Sequence, residues 1–179
     1  MNLKGSETEK NLYRTFAWES RARNKYNLYA EKARMDGYQY IGKVFDETAE
    51  NERAHAREVF NRYLKLNKST AENLLVASMG ESKEATDIYI KFSDIARKEG
   101  FKEIADFFKE LSEVEENHEK TFDTLHKRVV EGEMFNDEDC TKWRCMNCGY
   151  IHIGDEAPMI CPLCKYPRSY FKIYEDLYR

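Results

Sequence analysis

The chain has 179 residues, of which 41% are hydrophobic and 35% are charged, with a formal net charge of -4. This length suits one ordinary domain, or a medium domain followed by a small one. The acidic balance excludes the basic surface typical of nucleic-acid-binding proteins, and no apolar run is long enough to span a bilayer. The polar start MNLKGSETEKN lacks the apolar core of a signal peptide, so a cytoplasmic protein is expected.

Four helices are predicted in the first 131 residues, which contain no proline. Ser6 and Ser69 each precede a glutamate by three residues, the pattern of a capping box that begins a helix. Gly37, Gly100 and Gly132 stand where helices can end, because glycine readily takes the left-handed conformation. The predicted helices cover residues 6–35, 38–66, 70–98 and 101–131.

The motif Glu-x-x-His occurs twice, in ENERAHA and in EVEENHE. Residues three apart on a helix face the same way, and both pairs interrupt the apolar stripe of their predicted helix. Other glutamates interrupt the stripes of the first and third helices in the same manner. The candidate inward-facing residues are therefore Glu19, Glu52, His55, Glu81, Glu84, Glu115 and His118.

The two motifs belong to an internal repeat. Residues 33–55 align with 96–118 without a gap at an offset of 63, and the identical pairs include Gly37/Gly100 and Ile41/Ile104. The predicted helices thus form two copies of one helical hairpin. Glu19 aligns one residue past Glu81, and a one-residue insertion in the third helix, such as a π-bulge, would restore the register.

Five carboxylates and two imidazoles facing a helical core require compensation, since burying one isolated ion costs on the order of tens of kcal/mol. Two divalent cations would nearly cancel the charge, and oxygen with imidazole nitrogen suits iron or manganese. A single Glu-x-x-His is more often part of a solvated face, but two copies at equivalent repeat positions favour a di-metal carboxylate bundle. His126 and His152 carry no such context and are expected on the surface and in a loop.

The C-terminal segment contains four cysteines in two Cys-x-x-Cys pairs, a pattern that favours a metal over disulfides in a reducing compartment. Cys145, Cys148, Cys161 and Cys164 would make a tetrahedral site for iron, with a structural zinc ribbon as the alternative. Gly149 would allow a tight turn that aims N–H groups at sulfur. A small apolar shell is expected from Trp143, Tyr150, Tyr170 and Phe171, and Cys140 is expected to be a free thiol in a linker.

These motifs together resemble the rubrerythrin family, through FAWESRARNKY, ENERAHA, GESKEATDIY, EENHE and KWRCMNCGY with CPLC. The resemblance covers essentially the whole chain. It implies a mainly α fold, with a ferritin-like di-iron four-helix bundle over residues 1–134 and a linker over 135–141. A rubredoxin-like Fe(Cys)4 domain would follow over residues 142–179.

The resemblance implies a non-haem di-iron peroxidase that reduces hydrogen peroxide to water and protects against oxidative stress. Electrons would enter through the rubredoxin-like iron from a donor such as a rubredoxin and its NAD(P)H-dependent reductase. Three irons per chain are expected, with zinc a possible substitute in recombinant material. Neither nucleic acid nor a membrane is expected as a partner. The alternatives are a ferroxidase or iron-handling ferritin-like protein and a non-enzymatic redox sensor.

The resemblance also implies a role for each ligand. Glu52 and Glu115 would bridge the two irons, Glu19 would be terminal on the first iron, and Glu81 with His118 would hold the second.

The first iron would exchange a carboxylate for a histidine between redox states, with Glu84 bound when oxidised and His55 when reduced. Tyr26 and Tyr89 match the tyrosines that hydrogen-bond the carboxylates.

Two positions depart from the family pattern. Trp18 precedes Glu19 where the family commonly has a small residue, so packing near the first iron is expected to differ. Lys165 follows the second cysteine pair where rubredoxins place glycine, which questions the geometry of that turn although not the ligation.

The predicted link between the second and third helices, NKST, is too short for the family arrangement within one chain. In that arrangement the two helices run parallel, which needs a connection about as long as the bundle. A simple up-down-up-down bundle is one solution. We expect the other, a homodimer in which the hairpins are swapped between chains.

Overall fold

The structure is a computed structural model, and it describes residues 2–137 and 140–174. The chain is mainly helical with a small C-terminal domain, which confirms the predicted fold class. It divides into two compact units, Met1–Lys68 and Ser69–Arg179, each of which contains one helical hairpin. The predicted domain boundaries stay a prediction. None of the helices in the described ranges combines the length and the hydropathy needed to cross a membrane.

The first unit consists of α1 (Glu7–Met35) and α2 (Gln39–Glu58), which is continued by a π-helical turn over Val59–Tyr63. The predicted cap of α1 is confirmed, because Ser6 Oγ accepts the Glu9 N–H at 3.1 Å. The reciprocal bond differs from a regular capping box, since the Glu9 carboxylate accepts the N–H of Gly5.

The predicted C-terminal end of the second helix was wrong. The π-helical turn finishes at Tyr63, three residues before the predicted residue 66, and the Leu64 N–H bonds the Val59 carbonyl at 2.9 Å. Six residues, 64–69, therefore connect the two hairpins instead of the four of NKST. Lys65 within this link has a positive φ of 53°.

The helices of the second unit are α3 (Thr70–Lys83), α4 (Tyr89–Lys98) and α5 (Lys102–Glu131). Ser69 and Glu72 form the predicted capping box, with both reciprocal bonds present. A π-helical turn over Glu84–Ile88 joins α3 to α4. This turn confirms the predicted one-residue insertion in the third helix.

The joints within the two hairpins are alike. Gly37 and Gly100 have φ values of 87° and 90°. The N–H of Tyr38 bonds the Ala33 carbonyl, and the N–H of Phe101 bonds the Ala96 carbonyl, both at 2.8 Å. This is the Schellman arrangement, in which left-handed glycine ends the helix. The same joint in both copies supports the internal repeat.

Small residues let the two helices of each hairpin approach closely. A Cβ added to the buried Gly42 would lie 3.2 Å from the Ala30 carbonyl and 2.9 Å from Arg34 Cγ. In the second hairpin, Ser93 and Ala105 stand at the positions of Ala30 and Gly42. Ser93 Oγ donates a hydrogen bond to the Ala105 carbonyl at 2.7 Å. This close approach brings carboxylates on facing helices within reach of one another.

The C-terminal domain contains an antiparallel sheet in the order β2-β1-β3, from β1 (Lys142–Cys145), β2 (Ile151–Ile153) and β3 (Phe171–Ile173). A 3-10 turn, Arg168–Tyr170, leads into β3.

Two expectations about the C-terminal domain were wrong. Tyr170 lies outside the core, because its ring is exposed and packs edge-on against Tyr166 at 4.6 Å. His152 lies in β2 and not in a loop. The rest of the expected apolar shell is confirmed, since Trp143 and Phe171 are buried with Tyr150 packed against them.

The two cysteine turns have the same backbone. Gly149 has a φ of 78° and its N–H bonds the Cys145 carbonyl at 2.9 Å. Lys165 has a φ of 64° and its N–H bonds the Cys161 carbonyl, also at 2.9 Å. Lysine thus adopts the left-handed conformation expected of glycine, so its presence does not change the geometry of the turn.

The left-handed backbone at Lys165 is expected to lower the stability of the domain. That conformation costs an L-residue about 1–2 kcal/mol, while the extra freedom of unfolded glycine offsets part of the gain. We predict that K165G is more stable than K165A by about 1 kcal/mol, measured by urea unfolding of the metal-loaded full chain through its metal–thiolate absorption. G149A is the matched control and should destabilise, because no atom lies within 4 Å of its added Cβ and only backbone strain acts. Equal stability of K165G and K165A would contradict the prediction.

Candidate metal centres

The first hairpin brings together three of the predicted ligands, Glu19 from α1 and Glu52 and His55 from α2. Their ligand atoms all lie within 4.8 Å of one another. His55 Nδ1 is 3.0 Å from Glu52 Oε2 and 3.5 Å from Glu19 Oε2. We call this group the first half-site.

The electrostatics of the first half-site favour a positive charge. Hydrogen bonding with Glu52, and then burial, raises the pKa of Glu19, whereas the same hydrogen bond lowers the pKa of Glu52. Hydrogen bonding with Glu52 also raises the pKa of His55. Two neighbouring carboxylates disfavour each other's ionisation, and a bound metal ion would relieve this repulsion.

The second hairpin repeats the arrangement with Glu81 from α3 and Glu115 and His118 from α5. His118 Nδ1 lies 2.7 Å from Glu115 Oε2 and 3.8 Å from Glu81 Oε2. Burial, followed by hydrogen bonding with Glu115, raises the pKa of Glu81. In this second half-site Glu115 and His118 align with Glu52 and His55 at the offset of 63, Glu81 stands one residue before the position aligned with Glu19, and the order of distances is the same as in the first half-site.

Glu84 lies outside the three-residue group of the second half-site. It begins the π-helical turn, and its carboxylate neighbours Tyr89. Burial raises the pKa of Tyr89, and the interaction with Glu84 raises it further. Tyr89 stacks on Phe108 with ring centroids 6.2 Å apart, and Tyr26 stacks on Phe45 at 6.1 Å. The two tyrosines therefore occupy equivalent places in the two hairpins.

The four cysteines lie together as a tetrahedral metal site requires. The Sγ atoms of Cys145 and Cys164 are 3.7 Å apart, and those of Cys148 and Cys161 are 3.6 Å apart. Metal–sulfur bonds of about 2.3 Å in a tetrahedron place sulfurs roughly 3.8 Å apart, whereas a disulfide would need about 2.05 Å. The observed spacing fits a bound metal. Cys140, outside the group, is an exposed free thiol.

One residue near the thiolates was not predicted. The side chain of Asn147 hydrogen-bonds Cys164, and with the backbone N–H of Tyr166 it lowers the pKa of that thiol to about 6. A low pKa favours the thiolate, which is the form that binds metal. The position of Asn147 inside the first Cys-x-x-Cys turn is the signal that could have identified it.

Both donor sets fit iron. Carboxylate oxygen with imidazole nitrogen suits divalent iron or manganese, and four thiolates suit iron or zinc. The Cys145 and Cys161 sulfurs belong to buried residues, while Cys148 and Cys164 are partly exposed. One edge of the thiolate site therefore faces solvent.

The comparisons with known proteins match both parts of the chain. The family described as Rubrerythrin matches residues 10–126, and the rubredoxin-like domain of rubrerythrin matches residues 143–172. The Rubrerythrin of Nitratidesulfovibrio vulgaris is 42% identical over 96% of each chain. Rubrerythrin-1 of Clostridium acetobutylicum is 39% identical over 99% of each chain. The Rubrerythrin of Porphyromonas gingivalis is 41% identical, covering 96% of this chain and 92% of its own.

These matches span both half-sites and all four cysteines, and they leave no large part of the relatives uncovered. The chain belongs to the rubrerythrin family.

Proposed function

We propose that the protein is a non-haem di-iron peroxidase that reduces hydrogen peroxide to water. Rubrerythrins are di-iron proteins of oxidative stress defence, and the proposal narrows that role to one reaction. The observation that carries it is the presence in one chain of two matching carboxylate–histidine half-sites and a four-thiolate site. The two half-sites would bind the irons that react with peroxide, and the thiolate site would pass electrons to them.

The burial of the carboxylates supports the proposed ligand roles. Glu52 and Glu115 are the less exposed carboxylates of their half-sites, with 18% and 12% of the side chain accessible. A buried carboxylate gains most from two neighbouring cations, as expected for bridging ligands. Glu19, Glu81 and His118 would complete the two iron sites as terminal ligands.

His55 and Glu84 differ from the other ligands in ways that suit an exchange at the first iron. The side chain of His55 is the most exposed of the grouped ligands, at 62% against 53% for His118. Glu84 lies beside Tyr89 and outside its own half-site. We propose that Glu84 binds in the oxidised state and His55 in the reduced state, and that Tyr89 holds Glu84 when it is not bound.

Reduction of one hydrogen peroxide to two waters consumes two electrons and two protons. Bound iron would supply the electrons and the Lewis acidity. The chain would hold the irons and orient the carboxylates, and Tyr89, whose pKa is raised, would stay protonated beside Glu84. Its hydroxyl is thus available as a hydrogen-bond donor to that carboxylate.

The solvent-facing edge of the thiolate site argues against the ferroxidase or iron-storage alternative. A ferroxidase or iron-storage protein needs no input of electrons through a partly exposed Cys148 and Cys164. A redox sensor would react with peroxide without repeated turnover. We therefore place the peroxidase first.

The test is reoxidation of the anaerobically reduced protein. We predict that stoichiometric peroxide restores the oxidised iron spectrum at least about tenfold faster than oxygen does. We also predict that E115A weakens iron binding by more than the roughly 10–100-fold typical for loss of a residue that only supports a ligand. E116Q is the matched control, since Glu116 is the next residue, is 56% exposed and pairs with Lys120. A reduced protein that peroxide does not reoxidise would contradict the proposal.

Exposed apolar residues support the pairing of each hairpin with another. Ile41 in the first hairpin is 47% exposed, and Ile104, its equivalent in the second, is 48% exposed. Each lies fourteen residues before the histidine of its half-site, close to four helical turns and so on the same side of the helix. Trp18, next to Glu19, is 64% exposed. Exposed apolar residues of this kind mark a surface that another protein surface buries.

The short connection between the hairpins favours burial of this surface by the hairpin of a second chain. The link 64–69 spans at most about 25 Å, whereas the 25 residues of α2 and its π-helical turn extend for about 37 Å. The link cannot return the chain along the helix, as the parallel arrangement of the family requires. We propose a homodimer in which each di-iron site takes Glu19, Glu52 and His55 from one chain and the other four ligands from its partner.

Two inactive variants test the swap. E52A damages the first half-site and E115A the second, so each homodimer has no intact site. In a swapped heterodimer one site combines two intact halves, and the other combines two damaged ones. We predict that a heterodimer purified through two different tags recovers half of the wild-type activity and di-iron content per dimer. A heterodimer as inactive as the homodimers would contradict the swap.

The surface around the thiolate site supports an acidic electron donor. Between residues 140 and 174 the chain has five Lys or Arg and two Asp or Glu. Arg144 and Lys172 are directly opposite across β1 and β3, a like-charge pair that destabilises a sheet. Both line a recess of about 470 Å³ beside Cys148. We propose that this basic recess docks an acidic rubredoxin-type protein, which an NAD(P)H-dependent reductase would keep reduced.

Electron delivery through this recess should depend on salt. We predict that the rate of reduction by an acidic rubredoxin falls as ionic strength rises, and that R144E or K172E lowers it by on the order of tenfold at low salt. K109E changes the net charge equally at an exposed position of α5 and should leave the rate nearly unchanged. A rate that neither salt nor these variants alter would exclude this docking surface.

A further inference from the structure

The first hairpin has a groove on a side away from its half-site. Arg53 and Arg57 are rotated by about 100° and 140° from Glu52 around the helix axis, while His55 is rotated by about 60° in the opposite sense. The groove has a volume of about 320 Å³. Phe16 and Phe60 line it with ring centroids 5.1 Å apart.

The charges of this groove are one-sided. Arg23, Arg53 and Arg57 line it, and none of the residues that line it is acidic. Arg53 pairs with Glu50 on its own helix at 3.2 Å, but within the described part of the chain neither Arg23 nor Arg57 forms an ion pair. Arg23 Nε is buried and lacks a hydrogen-bond partner. Buried donors are normally satisfied, and leaving one unpaired is costly.

The second hairpin shows that these arginines are not needed for the hairpin fold. The corresponding groove between α3 and α5 is lined by Lys83 and by three acidic residues, Asp87, Glu119 and Asp123, of which Glu119 and Asp123 align with Ala56 and Phe60 at the offset of 63. No arginine lines it. Its two aspartates pair with lysines, Asp87 with Lys91 and Asp123 with Lys127. The corresponding place is thus cationic and aromatic in one copy and, apart from Lys83, acidic in the other.

We propose that the groove of the first hairpin binds an organic anion with a phosphate or carboxylate group on a flat ring. Guanidinium groups bind both anions through paired hydrogen bonds, and the two phenylalanines offer an apolar surface for the ring. The amides of Asn24 and Asn61 line the same groove and can bond polar atoms at the edge of the ring. The volume is at the lower end of the range for small-molecule sites, which suits a molecule of mononucleotide size.

This proposal stands independently of the peroxidase function. It predicts saturable binding of AMP and of phenyl phosphate to the iron-loaded full chain, measured by titration calorimetry at low salt. Inorganic phosphate should bind at least about tenfold more weakly, because it lacks the ring. Benzoate in place of phenyl phosphate distinguishes a carboxylate ligand from a phosphate ligand.

Variants locate the binding. R23A and R57A should each weaken the binding of AMP by about tenfold or more. K120A is the matched control, since Lys120 aligns with Arg57 in the second hairpin, and it should leave affinity unchanged. Iron content and helicity, measured on the same samples, check that each variant is folded. The absence of saturable binding, equal affinity for AMP and inorganic phosphate, or unchanged affinity in both arginine variants would overturn the proposal.

Discussion

In each hairpin a glutamate from one helix lies against a glutamate and a histidine from the facing helix, and the remaining features of the site follow from this contact. Small residues bring the helices close enough to make it, as at Gly42 and Ala105. The contact with Glu52 raises the pKa of Glu19, and burial, followed by the contact with Glu115, raises the pKa of Glu81. Each half-site therefore concentrates negative charge that a bound metal ion would neutralise.

The two copies of the repeat agree at the half-sites and differ in the grooves on the other side of each hairpin. The joints at Gly37 and Gly100, the stacked tyrosines and the two half-sites are alike in both copies. The grooves on the other side differ, since three arginines line the first, whereas three acidic residues and Lys83 line the second. Comparing the two copies therefore shows which residues of the first copy the hairpin fold does not require.

Most of the fold and of the half-sites could be predicted because their signals are local. Capping serines, glycines after helices and Glu-x-x-His spacing each fix a backbone position or a helix face, and the mismatch between Glu19 and Glu81 revealed the π-helical turn. The π-helical turn over Val59–Tyr63 had no such signal, since it has no mismatch with the other copy to reveal it. The exposure of Tyr170 and the arginine groove depend on which face of a helix or strand remains exposed to solvent after packing. Residue spacing in the sequence does not determine this.

The π-helical turn at Glu84 also bears on the history of the chain. Tyr89 lies eight positions after Glu81, whereas Tyr26 lies seven positions after Glu19. One inserted codon after duplication of an ancestral gene segment is enough to account for this difference. Glu84 begins this turn, and Arg21 and Ala22 stand at the corresponding positions of the first hairpin, so the copy with the insertion carries a carboxylate that has no counterpart in the other.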